Sequence, residues 1–175
     1  MQAAPVAPDL RIVKFARPVL PMLGHDNTLG GVDMLKVLIP VDGSEHARHA
    51  IDAVAELARA GAKLEVALLN VRLGPVYYGE LPPLGTQMLE EAQKAQQDEL
   101  LASAERYARS LELPIAAVQR AVGFAPHEIE RVAREWPADQ IAMGTRGMGA
   151  VGSLFLGSVA QRVVHAATVP VLLAR

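Results

Sequence analysis

The sequence predicts an α/β domain with a mostly parallel sheet and helices on both of its faces. Three observations carry this. From Met34 onward, apolar runs of strand length alternate with longer stretches of helical periodicity, and such alternation winds into a parallel sheet. Of the 175 residues 51% are hydrophobic and 21% charged, the balance of an ordinary α/β domain. Near the C-terminus a short apolar run, Gln140 to Met143, leads into a glycine-rich turn and then into a helical run, Val159 to Ala167.

The elements follow in order. Residues 1–33 stand apart: Pro5, Pro8, Pro18, Pro21 and the Gly24–Gly31 stretch break any long helix or central strand. Only Leu10 to Phe15 reads as a short strand there, so this segment is expected to be an N-terminal arm or extension. It lacks the basic start and apolar core of a signal peptide. Leu35 to Val41 reads as a buried strand that tolerates Pro40 near its end. Ser44 is placed to cap the helix that follows, with Glu45 in its first turn. Ala47, Ile51, Val54, Ala55 and Ala58 share one face of that helix, and Gly61 ends it. Leu64 to Val71 is the second strand. A loop rich in proline and glycine, with Tyr77 and Tyr78, precedes a long helix from Gln87 to about Leu111, with Leu100, Ala104, Tyr107, Ala108 and Leu111 inward. Ile115 to Val122 is the third strand. Pro126 opens a helix whose Ile129, Val132, Ala133 and Trp136 align. The fourth strand, the glycine turn, the last helix and a final strand, Val169 to Ala174, complete the domain over residues 34–175.

Composition excludes several function classes. A net charge of −2 without a Lys/Arg cluster argues against general nucleic-acid binding. With no cysteine, disulfides, thiolate catalysis and zinc–sulfur sites are out, and a reducing, cytoplasmic setting is expected. No apolar run approaches the roughly 18 residues of a membrane span.

Strand, glycine-rich turn and helix are how a backbone is brought close to phosphate oxygens. Glycines remove the Cβ atoms that block approach, and N–H groups at the helix start point at the anion. Ser158 adds a hydroxyl that can cap the helix or meet the ligand. After Asp139 no acidic residue remains, while Arg146, Arg162 and Arg175 do. A Walker A loop is excluded because the segment has no lysine. Gly147, Gly149 and Gly152 match the dinucleotide fingerprint, but no acidic residue follows at the ribose position and no second half remains. A third pattern stands: Gly144-x-x-Gly147, nine residues, then Gly157-Ser158. Asp42, at the end of the first strand, faces this turn if the first and fourth strands are neighbours. It could then take ribose hydroxyls or help hold a divalent cation.

That spacing resembles the nucleotide-binding signature of the universal stress protein family. Ile39-Pro-Val-Asp-Gly-Ser44 resembles the family's opening motif, and Leu68 to Val71 its second strand end. Many relatives have Leu-His-Val where this chain has Leu69-Asn-Val71, a change given little weight at this point. The resemblance implies a flavodoxin-like five-stranded sheet in order 3-2-1-4-5, a homodimer joined through the C-terminal edge strand, and bound ATP or ADP, with Mg²⁺ offsetting phosphate charge. Carried over by position, Pro40, Val41 and Asp42 fall in the site, with Asp42 on the ribose. Val71 lies near adenine and Met143 by base or sugar. Gly144, Gly147, Gly157 and Ser158 surround the phosphates, with Val159 close behind. Arg146 is read as a solvated side chain that meets phosphate transiently.

Chemistry beyond binding has little support. Gly-x-Ser-x-Gly, His-Glu-x-x-His and the kinase lysine–aspartate set are all missing, and Ser158 has no neighbouring base to activate it. His46 and His49 lie three apart on a helix without a carboxylate pair, and His127 and His165 are read as non-catalytic. The readings left are a nucleotide-dependent regulatory dimer, a slow ATP hydrolase or phosphotransfer protein using the same site, and an interaction dimer without nucleotide.

Overall fold

Val37, Leu38 and Ile39 are fully enclosed, so consecutive side chains of one strand are buried on opposite faces. Only a strand in the middle of a sheet covered on both sides has this need. The computed structural model describes residues 34–74, 86–145 and 156–175. Over these it has β1 Leu35–Pro40, α1 Glu45–Arg59, β2 Leu64–Arg72, α2 Thr86–Ser110, β3 Ile115–Val122, α3 Ala125–Glu135, β4 Gln140–Gly144, α4 Ser158–Ala166 and β5 Val171–Ala174. The expected strand at Leu10–Phe15 and the loop with Tyr77 and Tyr78 lie outside the described residues.

The five strands form one sheet in the order β3-β2-β1-β4-β5, and all pairs are parallel. This is the expected order. The chain winds outward from β1 through β2 to β3, then returns to place β4 on the other side of β1. The winding therefore reverses between β1 and β4, and the crevice at their C-terminal ends is where this architecture receives ligands.

Two cores sandwich the sheet. On one face Val37, Ile39, Val66 and Leu68 pack under Ile51 and Val54 of α1 and Leu101 and Ala108 of α2. On the other, Leu38, Leu69, Ile141 and Met143 meet Ile129 and Val132 of α3 and Ala160 and Val163 of α4. Each fully enclosed side chain such as Ile51 contributes about 1.5–3 kcal/mol by leaving water. The strand β3, at one edge, has only Ala121 buried.

Some boundaries differ from expectation for identifiable reasons. The innermost leucine of α2 is Leu101, 2% exposed, while Leu100 is partly buried, and Gln97 shares the inner face. The last strand starts at Val171, not Val169. Proline at 170 has no N–H for a ladder, and only its carbonyl takes part, accepting from Ile141 N at 3.0 Å. The last helix begins at Ser158 with Gly157 as its N-cap, so Ser158 is not the capping residue.

Candidate functional site

The end of β1 is held before any ligand is considered. Val41 N donates to Leu69 O at 2.8 Å, extending the β1–β2 ladder by one residue past Pro40. The half-buried Asp42 turns its carboxylate forward along the chain, where Oδ1 accepts from Ser44 N at 3.0 Å. Gly43 takes φ 84 between them, a left-handed conformation that costs glycine little. Ser44 Oγ then accepts from Ala47 N at 3.2 Å and starts α1. Asp42 is therefore the turn-forming residue of this loop, whatever else it does.

The end of β4 lies beside it. Met143, 6% exposed, points into the α3/α4 core. Gly144 faces α1, and a Cβ there would run into the backbone carbonyl of His46 and lie 2.7 Å from the His46 Cβ. The absence of a side chain at 144 is thus needed for α1 to pack on β4. Gly144, expected among the residues around the phosphates, therefore also has a packing role that the sequence did not reveal, and its replacement is expected to harm the fold.

Arg146 and Gly147 lie outside the described residues, but the two ends of the glycine turn are within them and meet. Gly157 N donates to Thr145 O at 2.7 Å, and Thr145 N donates to Ala174 O at 2.9 Å. One hydrogen bond therefore fixes the start of α4 at the C-terminal end of β4. The first turn of α4 has no acidic residue, and its N-cap Gly157 has no side chain to cap it. Helix geometry leaves the first N–H groups without intrahelical acceptors, and Ser158 and Val159 are exposed there. Their partial positive charge favours an anion. Asp139, the acid nearest in sequence, accepts from Lys36 N at 2.8 Å at the opposite end of the sheet. Thr145 Oγ1 is buried where the turn begins and has no hydrogen-bond partner among the described residues.

Of the sequence-derived residues, Pro40, Val41, Asp42, Val71, Met143, Gly144, Gly157, Ser158 and Val159 all fall at the C-terminal ends of β1, β2 and β4 or at the start of α4. Val71 is half-buried on β2 against the α3/α4 core. The His46 and His49 rings meet edge to face with centroids 5.7 Å apart. Among the described residues no group of three or more His, Cys, Asp or Glu could hold a metal ion. None of the described helices is long and apolar enough to cross a membrane.

Sequence reasoning missed two residues. Asn70 and Gln97 are buried, 7% and 4% exposed, and both bond to backbone at the strand ends. Asn70 Nδ2 donates to Val41 O at 2.6 Å, while Gln97 Nε2 donates to Asn70 O at 2.9 Å and to Ala121 O at 3.2 Å. The signal for Gln97 was its place on the apolar stripe of α2 with Leu101, Ala104 and Ala108. A polar residue on such a stripe needs a buried partner.

Comparison with known proteins agrees with this architecture. The family model described as the universal stress protein family matches residues 34–175. A Thermus aquaticus protein named as a universal stress protein in the QAH/OAS sulfhydrylase 3′ region is 40% identical over 79% of this chain and 97% of its own. The solved universal stress protein UspA from Lactobacillus plantarum superposes with TM-score 0.68 at 22% identity, over 83% of this chain and 100% of its own. The universal stress protein from Archaeoglobus fulgidus in complex with dAMP does so with TM-score 0.55 at 23% identity, over 83% and 100%. A universal stress protein in complex with cAMP and an Arabidopsis thaliana family protein with AMP bound share the fold at 20% and 19% identity, with TM-scores 0.54 and 0.57. With a matching family model over residues 34–175 and this degree of likeness to a named relative, the chain belongs to the universal stress protein family.

Proposed function

We propose that this protein binds an adenine nucleotide, ATP or ADP, in the crevice between the C-terminal ends of β1 and β4, and acts as a nucleotide-dependent regulatory dimer in the cytoplasm. The observation that carries the reading is the Gly157–Thr145 hydrogen bond of 2.7 Å, which sets the acid-free start of α4 beside the strand end that bears Asp42. Phosphates are proposed to lie against the N–H and hydroxyl of Ser158 and the N–H of Val159, with Gly144, Gly147 and Arg146 kept as site residues from the sequence. Asp42 accepts from ribose, and the base rests near Val71, with Met143 by base or sugar. The family members solved with AMP, cAMP and dAMP hold adenine nucleotides with one phosphate. For this chain two or three phosphates are proposed, because the glycines and serine spread over residues 144–158, with Mg²⁺ offsetting part of the charge.

Mass analysis of ligand released from denatured, purified protein identifies the nucleotide. Calorimetry with ATP, 2′-deoxy-ATP and NAD then tests its recognition. ATP is expected to bind more tightly than either of the others. Asp42→Ala should weaken ATP about tenfold to a hundredfold, the equivalent of one hydrogen bond to a charged group. Asp42→Asn keeps an acceptor for Ser44 N and separates loss of the turn from loss of the ribose contact. Tighter binding of NAD, or full ATP affinity in Asp42→Ala, would overturn the assignment.

A further inference from the structure

Among the described residues the buried polar side chains are Asn70 and Gln97, and both act at the strand ends that form the proposed nucleotide site. An apolar side chain at either position would spare the fold the burial of an amide, so what the amides hold is the question.

The peptide unit whose carbonyl is Val41 O also carries the N–H of Asp42. Its carbonyl accepts from Asn70 Nδ2 at 2.6 Å, and the N–H of Val41 is already tied to Leu69 O. The orientation of the backbone entering Asp42 is therefore set by β2, while the carboxylate is set from the other side by Ser44 N. The peptide unit whose carbonyl is Asn70 O carries the N–H of Val71. That carbonyl accepts from Gln97 Nε2, which reaches across to Ala121 O on β3 as well. The two peptides that precede the proposed ribose and base residues are thus both anchored through Asn70, one by its side chain and one by its own carbonyl. Gln97, from the inner face of α2, completes the chain.

On the reading that this crevice holds a nucleotide, we infer that Asn70 and Gln97 are positioning residues: Asn70 sets the ribose contact of Asp42, and Gln97 sets the backbone at Val71 that meets the base. Removing a donor that orients a charged acceptor misplaces that acceptor, and the loss falls on the ligand group it serves.

The test is calorimetry with ATP and 2′-deoxy-ATP on the full chain, well below Tm, for wild type, Asn70→Leu, Asn70→His and Gln97→Met. Asn70→Leu keeps most of the volume without the donor and should reduce ATP affinity about tenfold while erasing the preference over 2′-deoxy-ATP. Asn70→His, whose ring N–H can donate to Val41 O, should restore much of that preference. Gln97→Met should weaken both nucleotides in equal proportion and leave the ratio alone. A purely structural role would lower Tm in all three variants without moving the affinities or their ratio. Wild-type ratio and affinity in Asn70→Leu would overturn the inference while leaving the nucleotide site in place. If that variant does not fold, unchanged affinities in Gln97→Met overturn it. Failure of the wild type to bind ATP would remove the site reading itself, and this inference with it.

Discussion

Gly144 and Gly157 bracket the same turn, yet their lack of a side chain has different causes. Gly144 sits against the backbone of His46, so even alanine forces α1 off β4. Gly144→Ala is expected to destabilise by about 3 kcal/mol or more through overpacking against backbone, on the order of 10 °C in Tm for a chain of this size. Gly157 has φ −60 and ψ 150, angles that any residue adopts, so its conformation does not call for glycine. Gly157→Glu should keep its Tm and lose nucleotide, since a negative side chain would stand where the phosphates are proposed to lie. Thermal melts paired with ATP titrations check both, and full ATP affinity in Gly157→Glu would remove the turn from the site. The sequence spacing located both glycines, but it carried no sign that the first serves a helix from the other end of the domain. That contact joins residues about a hundred positions apart. Asn70 was illegible for the same reason: its partner is the carbonyl of Val41, and backbone groups leave no mark in a sequence.

At the level of elements, periodicity and punctuation were legible and hydrogen-bond detail was not. Helix α1 starts at the serine that chemistry favours, and β3 runs over the expected residues. The ends of α2 and β5 shifted by one or two residues, where fraying or a proline decides. Helix α3 offers an electrostatic test. Arg131 donates to Glu128 Oε2 through Nε at 2.9 Å and Nη2 at 2.7 Å, and the Glu128 side chain is only 13% exposed. The Arg131 hydrogen bonds hold the Glu128 carboxyl below its ordinary value of 4.5, with a smaller contribution from His127. A depressed carboxyl stabilises the fold above its unfolded value, and that stability is lost as pH falls through the folded one. Glu128→Gln should therefore melt below wild type at pH 7, and the gap should close as pH drops below about 4.5. A gap in Tm that stays constant down to pH 3 would contradict this account of the pair.

At the scale of the whole molecule, the sheet of the described residues has two edge strands, β3 and β5. At one, β3 exposes Val118 and Val122, 40% and 45% accessible. At the other, β5 is a short strand whose four side chains are all buried within the chain, leaving its outer backbone edge as the means of pairing. The proposed homodimer joins through β5. A protein cut to residues 34–175 should then have the same dimeric mass by light scattering as the full chain. A monomer would show instead that the arm makes the dimer. The parallel sheet was legible because strands and helices alternate along the chain, whereas the order β3-β2-β1-β4-β5 was an expectation carried by the family resemblance, since alternation alone leaves the order open. The contact between Gly144 and His46 also bears on how members of this fold are compared. A descendant that had abandoned its ligand would still be unable to accept a side chain at that position, because helix packing alone forbids one. Glycine there is no mark of a nucleotide binder. On the proposed reading, in which phosphates lie at the start of α4, the informative position is the later glycine, Gly157.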